Sequence, residues 1–130
     1  MFKPAIVGGA IFGALAVALG AFGAHGLKNI LSPELIEIYM KGVTYQFYHC
    51  FALLATGLVY VHAKSKQLEW ATYAFIIGII LFSGSLYALS FLKSTGVGLG
   101  PVGIITPFGG LFFIAGWLLL AMGVAKSSKQ

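Results

Sequence analysis

Thr44-Tyr45-Gln46-Phe47-Tyr48-His49-Cys50 is the stretch on which the fold turns. It opens a run, Phe51-Ala52-Leu53-Leu54-Ala55-Thr56-Gly57-Leu58-Val59-Tyr60-Val61, that is almost wholly apolar. Helix rises 1.5 Å per residue, so about 20 residues cross the ~30 Å hydrocarbon layer of a bilayer. Residues 43–62 have that length and composition. Polar groups placed in such a span must find partners inside the protein, because lipid offers none. The rest of the chain is therefore read as the scaffold that supplies those partners.

Composition points the same way. The 130 residues are 59% hydrophobic and 8% charged, whereas a soluble domain carries about 25% charged residues. The formal charge of +5 comes from lysines at the ends of the apolar runs, which read as loop and headgroup charges and not as a nucleic-acid footprint. With no arginine, bidentate grip on phosphate or carboxylate is unlooked for. Cys50 is the single cysteine, so no disulfide forms within the chain.

Upstream of the organising stretch, residues 5–25 form a first apolar span. A signal peptide is the competing reading, but signal cores are shorter, roughly 7–15 residues. Its small residues Gly9, Gly13, Ala16 and Gly20 share a face on which helix backbones pack closely. That face serves packing within one subunit or, in a sharper reading, a homo-oligomer. Gly26 is expected to cap this helix. Ser32-Pro33-Glu34 then reads as a new helix start, with serine as N-cap and proline in the first turn, and Glu37 and Lys41 as an i,i+4 pair. Residues 33–42 are expected as an interfacial, amphipathic extension, bent near Gly42, that continues into the second span. On a helical wheel Glu34, Glu37, Lys41, Tyr45, Tyr48, His49, Ala52 and Thr56 fall within roughly a third of the circumference.

Downstream, Ala63–Leu68 is a short polar loop, flanked by an interfacial belt of Tyr60, Trp70 and Tyr73. Spans at 70–92 and 102–124 follow. Ser83, Tyr87, Ser90 and Ser94 share a face of the third. The glycine-rich turn Thr95–Pro101 lacks the Gly-Lys-Ser/Thr ending and preceding strand of a phosphate loop. Pro107 in the fourth span leaves an upstream carbonyl free for another partner. The expected architecture is all-α: one membrane domain, 1–130, with four transmembrane helices and an extension before helix two. Lys3, Lys64, Lys66, Lys126 and Lys129 lie on the side of the termini, against Lys28, Lys41 and Lys93. That bias predicts cytoplasmic termini.

The candidate polar pocket is His25, Tyr45, Gln46, Tyr48, His49, Ser83, Tyr87, Ser90 and Thr106, all toward the first and third connections. The opposite half of each span is nearly pure hydrocarbon, which argues against a continuous conducting pore.

Gly20-Ala-Phe-Gly-Ala-His25-Gly-Leu-Lys28, Tyr45-Gln46-x-Tyr48-His49, Ser83-Gly-Ser-Leu-Tyr87 and Leu99-Gly-Pro-Val-Gly-Ile-Ile-Thr-Pro-Phe-Gly-Gly110 together resemble the small bacterial inner-membrane family typified by YgdD and YwdK, a family of unknown function. The resemblance covers essentially the whole chain. It implies a four-helix inner-membrane protein and carries no reaction, cofactor or catalytic residue. It also implies a small apolar residue at the place of Cys50, which lowers the case for thiol chemistry.

The favoured function is a non-enzymatic structural or accessory membrane component, with no catalytic residue, cofactor or metal and with the bilayer as its one clear partner. Its histidines would be satisfied by Tyr45, Tyr87, Ser83 or a carbonyl freed by Pro107. A second reading is small-molecule, ion or proton binding or transport as an oligomer, with His49 taking up protons. A third is a haem, metal or quinone site on His25 and His49, weakened by the lack of a nearby acid. A hydrolase has no Ser-His-acid set to stand on.

Overall fold

The computed structural model describes residues 1–96 and 102–127. Most of the glycine-rich turn and the last three residues, Lys129 among them, lie outside that range. The described residues are helical, with no strand among them. Helix α1 spans Lys3–His25, α2 Pro33–Val59, α3 Lys66–Ser94 and α4 Val102–Ser127. Three helical segments, Lys3–Asn29, α3 and α4, are long and apolar enough to cross a membrane. Helix α2 falls short on that measure because its charged first turns and the Tyr45–His49 stretch dilute its apolar run.

Local chemistry explains the helix starts. Ser32 Oγ accepts from the Leu35 N–H at 3.4 Å, with Pro33 and Glu34 in the first turn. Ser65 does the same for Leu68 at 3.3 Å and starts α3 at Lys66, four residues before the expected span. The expected Gly26 cap is a right-handed residue (φ −73°) that leads into a 3₁₀ turn, Gly26–Asn29, so chain reversal there needs no left-handed glycine. Gly96 does use that freedom, at φ 77°, where α3 ends. The expected Glu37–Lys41 pair is not formed. The ion pair among the described residues is Lys66–Glu69 at 3.3 Å, and Glu69 also accepts from the Tyr60 hydroxyl.

Helix α2 runs unbroken past Gly42. It packs against α1 on one side and against α3 on the other, while α4 packs mainly against α3. Among the described residues α1 and α4 do not touch. The buried stripe of α2 is Tyr39, Gly42, Val43, Gln46, His49, Cys50, Leu53, Thr56 and Gly57, a three-four repeat typical of a packed helix seam. The expected polar face is therefore split. His49, Ala52 and Thr56 turn inward, whereas Glu34, Glu37, Lys41, Tyr45 and Tyr48 stay exposed.

One core cluster joins Ala5, Ala52, Leu53, Ala71, Phe75, Ile79 and Phe113; a second, near the first connection, joins Leu27, Leu31, Tyr39 and Val43. Small residues set the approach of the helices. Gly9 lies against the Cys50 carbonyl and Leu54, Ala16 is fully buried and Gly20 faces Val43. Three of the four positions that the sharper reading offered to a homo-oligomer thus lie toward the inside of the subunit, and Gly13 alone has open space beside it.

Helix α3 is interrupted by a π turn at Ile79–Ser83. The wider turn brings the Phe82 backbone against Gly109 of α4, where any side chain would collide with main-chain atoms. Such turns insert one residue and rotate the remainder of the helix by about 100°.

Candidate functional site

Gln46 is the node of the polar cluster and is 2% exposed. Its Nε2–H donates to the Phe12 carbonyl of α1 at 2.8 Å, and its Oε1 accepts from the Tyr87 hydroxyl of α3 at 2.7 Å. One amide thus joins three helices. Ser83, in the π turn, donates to the Gly42 carbonyl at 2.7 Å, and Tyr39 donates to the Leu19 carbonyl at 2.7 Å. Ser85 bonds the Phe82 carbonyl and the Thr106 hydroxyl, which ties α3 to α4.

His49 is 4% exposed and sits in an aromatic box. Its ring stacks on Phe113 with centroids 3.5 Å apart and planes 6° apart. Phe75 and Trp117 close the box. The Trp117 Nε1–H donates to His49 Nε2 at 3.1 Å. Indole nitrogen is a donor only, so Nε2 must be an acceptor and the proton must sit on Nδ1. Nδ1–H then donates to the Tyr45 carbonyl at 2.7 Å. The ring is neutral, of one tautomer, and both its nitrogens are in use. A second proton would turn Nε2 into a donor facing a donor and break the link to α4.

The candidate residues thus fall into groups. Gln46, His49, Ser83, Tyr87 and Thr106 make bonds between helices. Ser90 is buried but donates back to the Tyr87 carbonyl of its own helix. Tyr45 and Tyr48 face outward, 37% and 55% exposed, with rings 5.6 Å apart. His25 is exposed at the end of α1 and belongs to no pocket with His49. On α1, His49 is level with Gly9 and Phe12, whose neighbours are Cys50 and Gln46. His25 lies at least 13 residues further along, about 20 Å at 1.5 Å per residue. The third reading, a site shared by His25 and His49, thus has no common pocket to rest on. No group of three or more His, Cys, Asp or Glu comes together among the described residues. Cys50 is buried and free.

Reading the sequence missed Trp117, Phe113, Ser85 and Tyr39. Trp117 looked like one more apolar residue of the last span. Only its indole N–H, which seeks a partner when buried in an apolar setting, hinted at a role.

Beside the box, between α2 and α4, lies a cavity of about 650 Å³ lined by Tyr45, Tyr48, Phe82, Phe113, Ile114 and Trp117, with His49 at its floor. Most of its wall is apolar, and it opens sideways on exposed Phe51, Ile114 and Trp117. No buried polar side-chain atom of the described residues lacks a partner.

Long apolar helices, polar side chains satisfied between helices and, among the described residues, lysines that lie in the connections or within three turns of a helix end define a helical membrane protein. The chain belongs to the family described as protein of unknown function DUF423, whose model matches residues 19–110. It is 42% identical over 124 residues to a UPF0382 membrane protein of Staphylococcus saprophyticus, covering 95% of this chain and 98% of that one. It is 42% identical to a UPF0382 membrane protein of Haemophilus influenzae over 92% of both chains. It is 36% identical to YwdK, a UPF0382 membrane protein of Bacillus subtilis, over 95% of this chain and 98% of that one. No solved structure matches.

Proposed function

We propose that this chain is a four-span, non-enzymatic protein of the bacterial plasma membrane, a structural or accessory component whose buried polar residues hold its helices together. The observation that carries the reading is the saturation of the buried members of the polar cluster. His49, the one buried histidine among the described residues, has both nitrogens engaged, and Gln46 has both ends engaged. A group poised for catalysis or transport keeps a free lone pair or proton for its substrate.

The fourth span in this reading is α2, which lies between α1 and α3 with its last 20 residues matched to the hydrocarbon. The lysine bias supports cytoplasmic termini. Bacterial relatives described as membrane proteins support the location. Transport by a self-assembled form draws little support, because of the four small residues on α1 only Gly13 is turned away from α2.

Two measurements test it. In a Cys50→Ala background, Asn29→Cys should react with an impermeant maleimide only from outside the cell. Lys64→Cys and Lys126→Cys should react only after the membrane is opened. Labelling of Asn29→Cys and Lys64→Cys from the same side removes the four-span reading. Cross-linking in native membranes should yield a stoichiometric protein partner, whereas proton or ion flux from the purified protein in liposomes ends the accessory reading.

A further inference from the structure

The furrow on the outer side of α2 changes chemistry along its length. Its upper part is a cavity of about 320 Å³ lined by Glu37, Met40, Lys41 and Thr44, with Tyr45 and Tyr48 as walls. The same two tyrosines wall the 650 Å³ aromatic trough below, so the two cavities adjoin. Counting back from Val59 at 1.5 Å per residue, a ~30 Å hydrocarbon layer ends near Met40. Glu37 and Lys41 thus stand at headgroup level, Tyr45 and Tyr48 one to two turns deeper, and the trough deeper still.

Two features of this furrow are unfinished. Glu37 and Lys41, one turn apart on one face, do not pair with each other or with any other described residue. The hydroxyls of Tyr39, Tyr60 and Tyr87 each donate a hydrogen bond, whereas those of Tyr45, Tyr48 and Tyr73 have no partner among the described residues, and of these three Tyr45 and Tyr48 wall the furrow. A phenol at hydrocarbon depth without an acceptor is costly.

We propose that the furrow holds one diacyl glycerophospholipid whose head carries both a phosphate and an amine. Lys41 takes the phosphate and Glu37 the amine. Tyr45 and Tyr48 donate to the ester carbonyls, which lie just beneath the head in such a lipid. One acyl chain runs into the trough against Phe82, Phe113, Ile114 and Trp117. An acyl chain fits the trough better than a quinone ring does. The His49 nitrogens and the Trp117 N–H are already engaged, so the floor has no polar atom left for a ring carbonyl. This inference rests on the span that the reading above gives to α2, but not on the accessory role, and it survives the failure of that role.

The test is native mass spectrometry of the full chain in mild detergent, titrated with phosphatidylethanolamine, phosphatidylglycerol or a quinone. One phosphatidylethanolamine per chain should be retained, about tenfold over phosphatidylglycerol, equivalent to 1.4 kcal/mol. Gly110 also lines the trough, and Gly110→Leu plugs it at a position where a Cβ has ordinary clearance, 3.9 Å from Phe82. It should lower retention about tenfold, while Gly13→Leu, at an open position, leaves it unchanged. The surface pair Glu37→Gln with Lys41→Ala should abolish the head preference, and Tyr45→Phe with Tyr48→Phe should weaken binding of both lipids. These surface variants carry the test if Gly110→Leu does not fold. Retention no greater than that of phosphatidylglycerol, equal retention in the plugged or surface variants, or preference for the quinone overturns the proposal.

Discussion

The two halves of this helical array face the same lipid and are held together differently. Toward the first and third connections, helices are joined by side chains that reach across: Tyr39 to Leu19, Ser83 to Gly42, Gln46 to Phe12 and Tyr87, Ser85 to Thr106. Toward the second connection the polar side chains Thr56 and Thr72 donate to their own helices, at 2.7 and 3.0 Å. Apart from the Tyr60–Glu69 bond at the connection itself, the helices there meet through missing side chains. Gly57 lies under Ile6, Gly116 under Phe75 and Gly123 under Leu68. His49 and Trp117 sit where the two regimes meet. Lipid tails are as apolar as leucine, so burial alone cannot hold helices together in a membrane. Close packing and hydrogen bonds remain; one half of this chain uses both, with Gly42 against Tyr87 and Gly109 against Phe82, and the spans of the other half use close packing.

The largest effect is expected at a glycine of the hydrogen-bonded half, where both devices act together. Gly109→Val drives a branched side chain into the Phe82 backbone, which no rotamer change relieves. The expected loss is about 3 kcal/mol or more. Cys50, buried and the sole thiol, reports it, because a thiol-reactive fluorophore labels it only on unfolding. Gln46→Leu comes next. It leaves the Phe12 carbonyl and the Tyr87 hydroxyl without their partner, and should cost about 1–3 kcal/mol by the same assay.

His49→Phe keeps the stack on Phe113 but removes the acceptor of Trp117. A loss of about 1–2 kcal/mol is expected, with a change in Trp117 fluorescence that marks the freed indole. No loss at all would strip the histidine of its holding role. Thr56→Val closes the series. Its hydroxyl bonds only the Ala52 carbonyl one turn back, so the change should stay within about 0.5 kcal/mol. If Thr56→Val costs as much as Gln46→Leu, the division into two regimes fails.

How much could be read beforehand differs from element to element. The Ser32-Pro33-Glu34 start was legible because a cap is made by neighbours in sequence. The equivalent cap at Ser65 was equally local and went unread inside a presumed loop. Gln46, His49, Ser83, Tyr87 and Thr106 could be nominated because polar groups in an apolar run must find partners. Their orientation was harder. Counting Glu34, Lys41 and Tyr45 with His49 as one face hid the buried seam of Tyr39, Val43, Gln46, Cys50, Leu53 and Gly57, which mixes polar with apolar residues. The π turn at Ile79–Ser83 had no visible signal, since it answers to the close approach of α4 at Gly109.

Sequence by itself determined the solvent, the helical class and the short list of side chains that must be satisfied. Those are properties of composition and of spacing along one helix. Tertiary structure alone decided which partner each side chain found, with Gln46 reaching a carbonyl 34 residues away and Trp117 a ring 68 residues away. Such pairings depend on the rotation and depth of one helix against another, and a rotation by a single residue moves every side chain by about 100°. No local pattern carries that information.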